Sequence, residues 1–224
     1  MYRKFVNARS PLRLLEKGLH GGLGVGNIGV VVAGHGVGKT PFLVGVALDE
    51  LLRQGKVLHV ALDQTVSHVR AHYDTVYEEL ASFTHLDDAA ATRTEIERHR
   101  SIRVFAPSSF SSSKLRDAVK VESEAGSKPS LILIEGLEDL AREDLRDVRA
   151  LAEELAAEVW ISVATSGELV AGVPEGLSDV VSVVLALVPG DDTVVLRALK
   201  GHEADDLSAL HVALDPRTLL LVRN

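Results

Sequence analysis

Ala33-Gly34-His35-Gly36-Val37-Gly38-Lys39-Thr40 is the stretch that decides the fold. Its layout is that of a Walker A phosphate-binding loop, with Ala33 in place of the first glycine. Glycines let the backbone curl so that successive N–H groups face inward, toward phosphate oxygens. In such a loop Lys39 reaches the β- and γ-phosphates and the Thr40 hydroxyl takes a magnesium position. The helix that follows turns its N-terminal dipole to the same anion. Pro41 falls in the first helical turn, where a missing N–H costs little. The expected phosphate-binding residues are therefore Gly34, His35, Gly36, Val37, Gly38, Lys39, Thr40 and Pro41, with His35 exposed at the tip.

The flanks agree with this reading. Residues 28–33 are a continuous apolar run, which predicts a buried strand. Residues 39–54 place Leu43, Val44, Ala47, Leu48, Leu51 and Leu52 on a helical stripe closed by Gly55. Upstream, Gly24-Val25-Gly26-Asn27-Ile28-Gly29 matches the dinucleotide pattern G-x-G-x-x-G. That pattern belongs after a strand and at the start of a helix. Here it precedes a strand, so it reads as a turn.

Further out, strand and helix alternate. Strands are expected at 57–62, 102–105, 131–134 and 159–164, and helices at 67–80, 92–100, 111–125 and 142–157. The pattern then changes to strands at 180–188, 193–199, 209–214 and 218–222, joined by the turn signals Pro189-Gly190-Asp191-Asp192 and Asp215-Pro216-Arg217. The expectation is an α/β fold: a mainly parallel sheet flanked by helices, with a C-terminal antiparallel β-meander. One domain spans 1–224, with an N-terminal arm (1–20), a nucleotide-binding core (21–166) and the meander (167–224).

Magnesium and water at a phosphate loop need carboxylates. Two apolar strands end in an acid. Leu131-Ile132-Leu133-Ile134-Glu135 has the shape of a Walker B strand, with Glu where Asp is usual. Val57-Leu58-His59-Val60-Ala61-Leu62-Asp63 directly follows the phosphate-loop helix. Glu135 and Asp63 are the candidate carboxylates for these two tasks, organising magnesium and polarising water.

Composition bounds the rest. The chain has 224 residues, a formal charge of −8, 46% apolar and 25% charged residues, as in globular chains. It has no cysteine, which excludes disulfide scaffolds, zinc ribbons, iron–sulfur clusters and thiol catalysis and fits a reducing cytoplasm. The acidic balance argues against a generalist nucleic-acid coat, and 4% aromatics leave little for base stacking. No signal or membrane segment is expected. Residues 18–38 carry no charge, but a stretch so rich in glycine does not build a bilayer helix.

In the order of its motifs the chain resembles the RecA-like ATPases, nearest to the KaiC and DnaB-type branch. The order is the lead-in Gly21-Gly22-Leu23-Gly24-Val25-Gly26, the phosphate loop, an acid ending the second strand, a Walker B strand, a sensor strand and a meander. The likeness covers about residues 14–222. It implies Mg-ATP as ligand, hydrolysis, and a homo-oligomer with nucleotides between subunits. It also exposes departures. Asp63 falls where the family has its catalytic Glu and is one methylene shorter. Glu135 replaces the magnesium-organising Asp. Ser166, ending the strand Trp160-Ile161-Ser162-Val163-Ala164-Thr165-Ser166, replaces a γ-phosphate-sensing Gln. In Lys200-Gly201-His202, His202 replaces the Arg that reaches the next subunit's nucleotide. An arginine finger carries several orders of magnitude in rate. The expectation is good ATP binding with slow hydrolysis; the alternatives are a nucleotide-gated switch or a DNA recombination or helicase-associated ATPase. A small-molecule kinase is disfavoured for want of an arginine-rich lid.

Other features carry less. His68 and His72 have a zinc-compatible i, i+4 spacing without the Glu of H-E-x-x-H. Arg142, Arg146 and Arg149 share a helix with Glu143, Asp144 and Asp147, which reads as a solvated ion-pair face. Residues 108–113 read as a loop and helix cap. The arm's Arg3, Lys4, Arg9 and Arg13 are the better candidates for contacting a partner.

Overall fold

The structure, a computed structural model, describes residues 1–137, 145–165, 178–202 and 210–224. The helices are α1 (Arg3–Ala8), α2 (Leu12–Gly18), α3 (Lys39–Leu52), α4 (Val66–Thr84), α5 (Ala89–His99), α6 (Ser112–Glu124) and α7 (Leu145–Leu155). The strands are β1 (Ile28–Ala33), β2 (Val57–Leu62), β3 (Arg100–Phe105), β4 (Leu131–Leu137), β5 (Glu158–Ala164), β6 (Val181–Pro189), β7 (Val194–Lys200), β8 (Val212–Leu214) and β9 (Leu221–Arg223). They form one sheet in the order β3-β2-β4-β5-β1-β6-β7-β8-β9. Strands β3 to β6 in that order are mutually parallel; β7, β8 and β9 are antiparallel additions. The chain is thus α/β, with a mostly parallel sheet, flanking helices and a C-terminal antiparallel strand group.

β1 is buried along its whole length, because it is a central parallel strand covered on both faces. Side chains alternate across the sheet. Val31 and Ala33 join the core under α1 to α5; Ile28, Val30 and Val32 join the core under α6 and α7. The connection leaving β2 passes over the first face and the one leaving β4 over the second. These neighbouring strands therefore part at their carboxyl ends, where ligands of open α/β sheets bind.

The sequence underestimates some elements. α4 runs to Thr84 and is closed by His85 in the left-handed region (φ 48°). α5 begins at Ala89, three residues early, because Ala89, Ala90 and Ala91 are strong helix formers. The last two strands are shorter than expected, and residue 209 lies outside the described residues. The 1–20 arm folds as α1 and α2, with Val6, Leu12, Leu15 and Leu19 buried in the main core. Two of its four candidate cations pair within the chain, Arg3 with Glu95 and Arg13 with Glu16 and Asp49, whereas Lys4, 5.1 Å from the Phe5 ring centroid, and Arg9 are exposed. Two helices of six and seven residues show too few turns for a periodicity to be read.

The amino end of the sheet gathers acids. Glu158 accepts a hydrogen bond from the Gly24 N–H at 3.1 Å and lines a pocket with Glu16, Asp49, Glu50 and Arg53. Burial, reinforced by Glu50, Glu16 and Asp49, pushes its carboxyl up to about 7. The folded chain therefore keeps a proton that the unfolded chain releases above about 4.5. Stability is lost as pH rises from that value through about 7. Glu158→Gln keeps the acceptor for Gly24 and removes the charge. It is expected to stabilise the protein at pH 8 by on the order of 2 kcal/mol, with little change near pH 4.5, as read by thermal melts at both pH values.

Candidate functional site

The candidate phosphate loop joins β1 to α3. Gly36 (φ 73°) and Gly38 (φ 119°) hold left-handed backbone that few side chains tolerate. A Cβ on Gly36 would meet nothing within 4 Å, so the loop's mouth is open there. A Cβ on Gly38 would lie 2.3 Å from Leu214 Cδ2, so β8 packs tightly against the loop. The Lys39 ammonium donates to the carbonyls of Ala33 (3.0 Å) and Gly34 (2.8 Å). Burial lowers its pKa and the nearby Glu135 opposes that shift. His35 is exposed at the tip.

Glu135 lies on β4, in register with Ala61 of β2 and Ser162 of β5. The Thr40 hydroxyl donates to its Oε1, and His59 Nε2 lies 3.2 Å from its Oε2. Burial is the largest single influence on this carboxyl and pushes its pKa up. Hydrogen bonds from His59, Thr40 and Gln64, with the field of His59, together outweigh it and leave Glu135 below the usual carboxylate range. Two sequence-expected residues, 95 positions apart, thus meet in one hydrogen bond.

Asp63 directly follows β2, with φ 56°, and is exposed. Its N–H donates to Phe105 O at 3.1 Å, tying the β2 end to the β3 end. Asp63, Lys39, Thr40, Pro41 and Glu135 line one cleft of about 590 Å³, closed on the meander side by Leu214, Pro216 and Leu219. That volume falls within the roughly 300–1,000 Å³ of small-molecule sites.

Ser166 lies outside the described residues, as do Arg142, Glu143 and Asp144. Lys200 and His202 sit at the far end of the sheet. Lys200 Nζ donates to Val181 O, and His202 Nε2 lies 2.9 Å from Gly22 O. Arg149 pairs with Glu153 and also donates to Val180 O and Ser182 Oγ, so this helix face is partly stitched to β6. Ser111 caps α6 by accepting from the Lys114 N–H. His68 and His72 approach to 3.3 Å, Nε2 to Nε2. Gly24 and Gly26 take left-handed backbone ahead of β1, as a turn there requires.

Sequence reasoning missed His59 and Tyr73 as site residues. The signal was present: His59 is the only polar side chain inside β2, and it shares strand parity with Asp63.

The sequence matches no protein-family model, and no curated protein matches it. Among the described residues no helix is long and apolar enough to cross a membrane.

Proposed function

We propose that the chain is a RecA-like P-loop protein of the cytoplasm that binds Mg-ATP and hydrolyses it slowly. The observation that carries this reading is the meeting of Thr40 and Glu135 beside Lys39, at the mouth of a loop held open by left-handed glycines. The donor set fits the ligand. Loop amides and Lys39 would hold phosphate oxygens, and the Thr40 oxygen would face magnesium while its O–H still donates to the Glu135 carboxylate. Bound magnesium would neutralise charge building on the phosphates during transfer. Lys39 must exchange the Ala33 and Gly34 carbonyls for phosphate, so the ligand-free loop holds its cation in reserve. Asp63, at the cleft rim, would orient water with a side chain one methylene short.

A second reading is a nucleotide-gated switch with negligible turnover, and the inward-turned Lys200 and His202 favour it. Neither can reach a neighbouring subunit's nucleotide without leaving a bond within its own chain. Steady-state hydrolysis of ATP with magnesium separates the two. Slow turnover that disappears in Lys39→Ala supports the enzyme. Binding without turnover supports the switch. Binding of neither ATP nor its magnesium complex contradicts both.

A further inference from the structure

β2 and β4 are neighbours, and His59 is in register with Leu133, two residues before Glu135. His59 and Glu135 therefore project to the same face of the sheet. Their neighbours on that face of β2 and β4 are apolar: Val57, Ala61, Leu131 and Leu133 all belong to its core. His59 is fully buried and Tyr73, on α4, is 1% exposed. The Tyr73 hydroxyl lies 3.1 Å from His59 Nδ1, with the rings nearly edge to face. Arg100 covers the Tyr73 ring, its Cζ 4.4 Å from the centroid.

Donor accounting orders this chain. The Glu135 carboxylate can only accept, so His59 Nε2 carries the hydrogen donated to its Oε2. Nδ1 is then assigned as the acceptor of the single Tyr73 O–H. Thr40 donates to Oε1. Glu135 is thereby gripped from α3 through Thr40 and from α4 through Tyr73 and His59. A glutamate has one more rotatable bond than an aspartate and loses more freedom when fixed. Its extra length needs an anchor that an aspartate does not.

We infer that His59 is a positioning residue: oriented by Tyr73, it holds the Glu135 carboxylate where Thr40-bound magnesium requires it. The inference rests on reading the cleft as a magnesium-nucleotide site. Groups one step removed from a metal change its affinity by about 10–100-fold when lost.

The test has a ligand-free arm and a magnesium arm. In ¹⁵N-histidine NMR of the free protein, His59 is expected as the Nε2–H tautomer; the Nδ1–H tautomer overturns the chain. In the second arm, a fluorescent ATP analogue is titrated at graded magnesium and again in chelator. His59→Leu is expected to raise the magnesium needed for half-maximal binding about tenfold or more, with chelator-state binding unchanged. His59→Gln, which can offer an N–H near the Nε2 position, is expected to restore it to within about threefold. Tyr73→Phe keeps the packing and loses only the orienting hydroxyl; a smaller rise is expected, and it decides the matter if His59→Leu does not fold. Unchanged magnesium dependence in these variants, or a Gln variant as defective as Leu, overturns the positioning role alone. A wild type that binds no analogue in either condition overturns the nucleotide reading as well.

Discussion

Lys39→Ala is expected to weaken Mg-ATP binding by about 10²-fold or more while leaving the fold intact. Lys39 is half-exposed and, among the described residues, its ammonium bonds two carbonyls of its own loop rather than a core group. In the complex, the same ammonium would face the phosphates. Removing one partner of a hydrogen-bonded charge pair costs about 2–5 kcal/mol, because the other charge is left uncompensated. Each 1.4 kcal/mol or so is tenfold in affinity. Equilibrium titration reads the effect, and a thermal melt checks the fold. Unchanged affinity would show that the nucleotide does not use this loop.

Trp160→Ala is expected to be the most destabilising of the substitutions considered, by about 3–5 kcal/mol. Trp160 is the chain's single tryptophan and is buried in β5. Its ring meets Phe42 of α3 edge to face at 5.5 Å between centroids. It also covers Gly29 of β1, where a Cβ would come within 2.7 Å of the ring. One side chain thus clamps the strand before the phosphate loop and the helix after it. For a chain of this length the loss corresponds to a fall in Tm of very roughly 6–20 °C. A fall of a degree or two would mean that the loop's frame does not depend on this clamp.

The parts legible in the sequence are those set by local periodicity. The valine-rich run of β1 and the apolar stripe of α3 bracket the loop, and both are buried as their patterns require. The strands that carry Glu135 and lead to Asp63 are legible the same way, although β4 runs two residues past Glu135, to Leu137, and β2 stops at Leu62. What the sequence did not show depends on distant partners. α1 and α2 are too short for a period, and they form because Val6, Leu12 and Leu15 find the main core. His59 interrupts an apolar strand without announcing a role; only the register of β2 on β4 brings it to Glu135. The inward turn of Lys200 and His202 depends on β6 and the 21–26 turn, which no local pattern near residue 200 reveals.

Hydrogen exchange with and without saturating Mg-ATP tests the central claim most directly, because it reads where the nucleotide sits. Slowed amide exchange is expected in peptides covering residues 34–40, with smaller protection around Asp63 and Glu135, and no such change in Lys39→Ala. Unaltered exchange across the phosphate loop at saturating Mg-ATP would contradict nucleotide binding at this site.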